Sequence, residues 1–504
     1  MYAIGIDSGT QGTKALVVDH DSGRVLGQGH APHAMVAGLV PGASEQEPET
    51  WVKAMEKAMK TALRASRIDP KKVVSLGVSG QQHGFVPLDG RGVPVRPAKL
   101  WNDTSTIEET ETIVGRLGGR EAYIAKLGIN LAVGFTASKI LWLKNHEPGN
   151  YAKLASIILP HNYLNYHLTG RLHMEYGDAS GTGLMDIRNL RWSDEALAAI
   201  DPALIHKLPP LSHPREPAGE VSKTVAARFG FGQVLVSAGG GDNMMGAIGT
   251  GNVTPGVCTL SLGTSGTVYS YFNRAFVDPA GEIAAFCDST GGWLPLLCTM
   301  NVTNTTEILK SLLKLTNEQL GTRARKSPPG AHGLIFLPFV DGERVPPLPF
   351  AEAVFFGLNR RTFDPPHLAR SVMEGTIFNL GYGFARMKEL GLEPGEIRIT
   401  GGGSKSALWR QIAADILETP VVTLREQEAA AYGGALQSIW CYRLQKGERI
   451  DIGEITGSLV GLGGRVTNPE PASAPIYRDL QKRFNSLWKT LEPEFRAHQK
   501  IAGR

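Results

Sequence analysis

Cysteine is scarce: Cys258, Cys287, Cys298 and Cys441 are the only four in a chain of 504 residues. None forms a CxxC pair and none lies at metal-ligand spacing from a histidine. That excludes a disulfide framework and a zinc site, and it predicts reduced thiols in a cytoplasmic setting. Also missing is any run of about 18 apolar residues, so no membrane-spanning helix is expected. The opening MYAIGIDSGT has no basic segment ahead of an apolar stretch, so no signal peptide is expected either. Clustered positive charge is absent too. The formal net charge is +4, and the densest basic groups are pairs such as Lys71-Lys72 and Arg360-Arg361. A nucleic-acid-binding face needs a stripe or patch, so that class is excluded while a local anionic ligand is still allowed.

What the chain does have is glycine, 60 residues of it, gathered where apolar strands end. YAIGID (2–7) runs into SGTQGT and then KALVVD (14–19), a strand, turn and strand that read as a hairpin; RVLGQG (24–29) reads as a third strand. CTLSLGTSGTVYSY (258–271) has the same outline, and the two share a G-T-x-G-T core at positions 9–13 and 263–267. Two such hairpins half a chain apart predict a duplicated domain. Between them TWVKAMEKAMKTAL (50–63) has helical spacing, and VVSLGVS (73–79) is a buried-type strand. EIRITGGGSKSALWRQIAADIL (396–417) reads as strand, glycine turn and helix. Alternating elements of this kind predict an α/β fold with ligand loops at the strand ends. The expected division is 1–248 and 249–504, with a hinge in the small-residue stretch from Gly249 to Gly256. The helix around 477–495 belongs to the second part unless it packs back on the first.

Both G-T-x-G-T turns suit phosphate, because bare glycines let successive N–H groups converge on an anion and threonine adds donors. Thr10, Gln11 and Lys14 would serve in the first turn, Gly263 and Thr264 in the second. Either turn alone could be a tight hairpin without a ligand. Neither fits GxxxxGK[ST], nor a GxGxxG opening a helix. Gly402, Gly403 and Ser406, in TGGGSKS, would let a flat ring lie against the backbone at a helix start. GQQHG (80–84) offers Gln82 and His83, and LWND (100–103) offers Trp101 and Asp103. Such uncharged donors and acceptors beside an aromatic wall suit a polyol. In SAGGGDNMMGAIGTG (237–251), Asp242 could accept the proton of a sugar hydroxyl, with Asn243 orienting the sugar. It could equally cap a helix beginning at Met244. The glycines ahead of it would let the sugar and the phosphate approach.

In their order these segments resemble the FGGY carbohydrate kinases, a likeness extended by GFTASKILWLKNH (134–146), AVFFGLNRRTFDPPHLARSVMEG (353–375) and LPFVDGER (337–344). The resemblance runs from residue 2 to about 440 and is closest to the D-xylulose kinases of that family. It implies two actin-like (ribonuclease H-like) α/β domains with ATP and sugar in the cleft between them, and phosphorylation of D-xylulose to D-xylulose 5-phosphate. It assigns the base to Asp242 and places Asp7 near a magnesium ion, reached through water. Gln82, His83, Asp242 and Asn243 would meet the sugar, and Gly263, Thr264, Gly402, Gly403 and Ser406 the nucleotide. The chain departs from many bacterial members in reading QHG for MHG, WNDTS for WND-x-R and VPPLP after GER. These positions surround the expected sugar pocket, so another ketose or polyol, such as D-ribulose, is the alternative substrate. An actin-like ATPase without a sugar is the alternative class. The sequence leaves room for a homodimer.

Overall fold

The computed structural model describes residues 1–502. The apolar run at the start forms β1 (Tyr2–Ser8), which a tight turn reverses into β2 (Gly12–Asp19), with Asp7 opposite Lys14 in the antiparallel register. Strand β3 (Val25–Pro32) extends the hairpin. Helix α1 (Pro48–Ser66) buries the stripe Trp51, Met55, Ala58, Met59 and Ala62 that its spacing predicts. Proline at its first turn suits a helix start, where the missing N–H costs nothing. Strand β4 (Val73–Gly80) then joins β1 in parallel, Asp7 beside Ser79. Helices α2 (Thr136–His146) and α3 (Pro160–Thr169) lie in the long segment before β5 (Gly219–Glu220), β6 (Leu235–Val236) and β7 (Gly240–Gly241). The sheet order is β5-β6-β4-β1-β2-β3, with β7 on the end of β4. Helix α4 (Asp242–Thr250) leaves β7 directly.

A second sheet is built from β8 (Val257–Leu262), β9 (Gly266–Ser270), β10 (Ala284–Cys287), β11 (Trp293–Thr299), β12 (Glu396–Thr400), β13 (Val421–Leu424) and β14 (Leu462–Thr467). Its order is β10-β11-β9-β8-β12-β13-β14. Setting β10 and β7 aside, the two sheets match strand for strand. Each has an antiparallel trio, two parallel neighbours and an antiparallel edge. The two glycine-threonine hairpins occupy the same place in each, as the internal repeat predicts.

Helices α5 (Pro365–Glu389) and α6 (Ala407–Leu417) accompany the second sheet. Helix α7 (Ala429–Gln445) does not: it returns to the first. Ala431, Ala435, Leu436 and Ile439 share a core with Ala3, Leu16 and Val18 of β1 and β2 and with Met245 and Ile248 of α4. Glycines permit that approach. A Cβ on Gly5 would stand 1.8 Å from the Ala431 carbonyl oxygen, and one on Gly433 1.8 Å from that of Met245. The last helix, α8 (Ala474–Ala502), packs elsewhere, with Tyr477, Leu480, Phe484 and Trp488 against Leu337, Phe339 and Phe378. The returning helix is therefore 429–445, which the sequence reading overlooked, and not the final one.

Candidate active site

The parallel strands β1, β4 and β7 end side by side, so Asp7, Ser79-Gly80 and Gly240-Gly241 form one rim, and Asp242 follows at once. Ligands gather at such carboxyl ends. Ser79 Oγ donates to Asp7 Oδ1 at 2.9 Å. Burial nevertheless pushes the Asp7 carboxyl up to about 6, against the lowering effects of Ser79 and Lys14. Lys14 pairs with Glu428 at 2.5 Å, a residue more than 400 positions away that opens α7. Asp242 rises to about 7, first through burial and then through the charge of Asp7. Two carboxyls thus share one partly desolvated rim, each with its proton affinity raised towards neutrality.

Asp242 does not cap a helix from Met244. The helix begins at Asp242 itself, with Gly241 at the cap position and no side-chain cap. Asp242 Oδ1 accepts from the Asn243 main-chain N–H at 2.8 Å and from its Nδ2 at 3.1 Å, and Asn243 Nδ2 also donates to Gln82 Oε1 at 2.6 Å. The glycines before Asp242 have a different purpose from the one expected. A Cβ on Gly240 would meet Ser289 Oγ at 2.3 Å, and one on Gly241 would meet Gln82 Cγ at 2.5 Å. They admit protein side chains, not ligand.

Gln82 keeps its buried Nε2 without a hydrogen-bond partner among the described residues. His83 adopts φ +38° with its ring packed against Phe135 and Phe286, which also touch each other, at centroid distances of 4.7 and 5.9 Å. Burial among these rings and the charge of Lys139 hold it neutral, well below the usual imidazole range. Trp101 donates from Nε1 to Thr10 Oγ1 at 3.1 Å, tying the WND loop to the first hairpin, and the Arg344 guanidinium of LPFVDGER lies 5.9 Å over its ring. Asp103 stands apart from the rest of the sugar-side set. It is fully buried, and its oxygens accept from the Ser44 N–H, Lys99 Nζ, and the N–H and hydroxyl of Ser105. It locks the WND loop from inside and does not face the opening.

In the second half Thr264 is exposed at the hairpin tip and Gly263 is partly so, while the Gly263 and Thr264 carbonyls receive the N–H groups of Thr303 and Val302. Of the later turn only Gly402 borders open space. A Cβ on Gly403 would strike Leu262, and Ser406 Oγ caps α6 by accepting from the Trp409 N–H. Missed in the sequence were Ser79, Glu428 and the buried Asp178, which accepts the His83 N–H at 3.0 Å.

Two matching sheets, each carrying a glycine-threonine hairpin in the same place, are the fold of the actin-like phosphotransferases. The chain belongs to the FGGY family of carbohydrate kinases: residues 2–249 match its N-terminal domain and 260–441 its C-terminal domain. It is an ATP-dependent sugar kinase. It is 44% identical over 447 residues to the xylulose kinase of Haemophilus influenzae, covering 87% of this chain and 90% of that one. It is 34% identical to the xylulose kinase of Escherichia coli, covering 82% and 84%. The crystal structure of xylulose kinase from Rhodospirillum rubrum matches with a TM-score of 0.89 at 26% identity, over 98% of this chain and all of that one.

Proposed function

We propose that the chain transfers the γ-phosphoryl group of ATP to D-xylulose, giving D-xylulose 5-phosphate and ADP, in the cytoplasm. The observation that carries the chemistry is Asp242, half-buried at a rigid strand end with a carboxyl near 7 and an oxygen fixed by Asn243. Its carboxylate takes the hydroxyl proton as the sugar oxygen bonds to the γ-phosphorus and the bond to the ADP oxygen breaks. Gln82, His83, Asn243 and Trp101 hold the sugar. Thr10, Gln11 and Lys14 meet the phosphates from the first hairpin and Gly263 and Thr264 from the second, while Gly402 borders the nucleoside and Gly403 and Ser406 shape its turn. The choice of D-xylulose is supported by the names of the relatives.

Among the described residues no group of three acidic, histidine or cysteine side chains could cage a metal. Magnesium would need no such cage, because it keeps most of its waters and is held by one or two carboxylates plus substrate phosphates, and Asp7 would be the carboxylate that holds it. When bound, the ion neutralises charge on the transferring phosphates.

An ADP-release assay over D-xylulose, D-ribulose, other ketoses and polyols tests the substrate. D-xylulose should give the highest kcat/KM, and a preference for D-ribulose or a polyol would overturn the assignment. The same assay against pH tests the base. The carboxyl must be ionised, so kcat/KM for the sugar should climb about tenfold per pH unit up to about 7 and level above it. A profile flat from 5 to 8 contradicts a base of that affinity.

A further inference from the structure

Lys139 is fully buried on α2, in the segment GFTASKILWLKNH, and the phosphotransfer chemistry above makes no use of it. A buried ammonium is costly unless paired and hydrogen-bonded. Its partners are two main-chain carbonyls, of Gly134 at 2.5 Å and of His83 at 3.0 Å, and among the described residues no carboxylate pairs with it. Burial lowers its proton affinity to about 7, with Asp103 and Asp178 acting on it from farther off. The His83 carbonyl also accepts from Thr136 Oγ1 at 3.0 Å. On the other side of the same residue, Asp178 Oδ1 accepts the His83 N–H, and its Oδ2 is fixed by His161 Nδ1 at 3.0 Å.

Three side chains thus converge on the main chain of a single residue, and that residue needs them. His83 lies at φ +38°, where a Cβ crowds the following carbonyl. A strand would otherwise continue past Gly80 in extended form. Turning it here is what sets Gln82 against Asn243 and packs the His83 ring on Phe135 and Phe286. An ammonium is a strong donor to a carbonyl in a medium of low polarity, and a buried one is hard to explain by packing alone, because a methionine would fill the same space.

We propose that Lys139, together with Thr136, is a positioning residue for sugar binding: the two donors grip the His83 carbonyl and hold the left-handed turn that presents Gln82 and His83 to the acceptor. This rests on the reading of Gln82 and His83 as sugar contacts. Because Lys139 acts through His83, its influence should reach the sugar and leave the nucleotide untouched.

The test is a set of variants on the full-length enzyme: Lys139→Met, Thr136→Val, His83→Ala, and each of the first two combined with His83→Ala. For each, KM for D-xylulose, KM for ATP and the sugar-independent ATP hydrolysis rate are measured. Lys139→Met should raise the sugar KM about tenfold and Thr136→Val about threefold, with the ATP KM and the sugar-independent rate within about twofold of wild type. In the His83→Ala background both effects should shrink, since the carbonyl they hold then positions no ring and only the presentation of Gln82 is left to lose. Equal increases in both KM values, or an undiminished effect without the His83 ring, would make Lys139 a general structural residue and overturn the proposal. An unchanged sugar KM in both single variants would overturn it as well. Should Lys139→Met fail to fold, Thr136→Val and its double variant apply the same criteria to the same carbonyl. If His83→Ala itself leaves the sugar KM unchanged, the reading of His83 as a sugar contact fails, an outcome distinct from failure of the Lys139 assignment.

Discussion

Asp242→Asn should lower kcat by about a thousandfold or more while raising the melting temperature. The first half follows from removing the proton acceptor, since a positioned general base contributes roughly 10²–10⁴ in rate. The amide retains the shape and the contacts to Asn243, so the KM for the sugar should change little. The second half follows from proton linkage. Asp242 binds its proton more tightly folded, at about 7, than unfolded, near 3.8. Between those values the folded chain carries more protons, so this group makes stability fall as pH rises, and the cost is complete above about 7. The neutral amide escapes it. The gain in melting temperature should therefore be small near pH 4, grow towards pH 7 and hold steady beyond. Near-normal turnover in the variant would remove Asp242 from the base role. An equal melting temperature for both proteins at pH 8 would show that its carboxylate is not costly.

Gly433→Val should abolish accumulation of soluble, folded protein. Helices α4 and α7 cross with their backbones in contact, through reciprocal pairs one helical turn apart: Gly433 against the Met245 carbonyl and Gly249 against the Ala429 carbonyl, each leaving 1.8 Å where a Cβ would stand. Overpacking a core ordinarily costs about 1–3 kcal/mol because side chains can shift. Here the obstacle is main chain, held by its own helical hydrogen bonds, and the helices would have to part. Parting them strips Met245, Ile248, Leu436 and Ile439 from β1 and β2. Gly457→Ala, in a helix where a Cβ meets nothing within 4 Å, is the control. It should stabilise by about 0.5–1 kcal/mol through helix propensity. Soluble, active Gly433→Val protein would contradict the packing argument.

Local signals carried much of this in the sequence. The two hairpins announce themselves by apolar runs that end in G-T-x-G-T, and Gln82, His83, Asp242 and Asn243 stand at strand ends whose boundaries are short-range features. What stayed illegible depends on distance or on direction. Nothing near Glu428 shows that it meets Lys14 across most of the chain, and nothing in WND shows that Asp103 turns inward to Ser44, Lys99 and Ser105. Ser79 reads only as strand until Asp7 lies beside it in register. The glycines ahead of Asp242 looked like room for ligand because a sequence does not show which atom fills the missing Cβ. Here the fillers are Ser289 and Gln82.

The return of α7 to the first sheet also has a consequence during synthesis. Strands β1 to β7 are complete once residue 241 is made, yet the helix that covers one of their faces is not finished until residue 445. A nascent chain therefore carries a glycine-lined apolar face uncovered through translation of most of the second half, and contacts of such long sequence separation form late. A fragment ending near residue 250 would retain that bare face permanently, so the first sheet depends for its completion on the far end of the same chain.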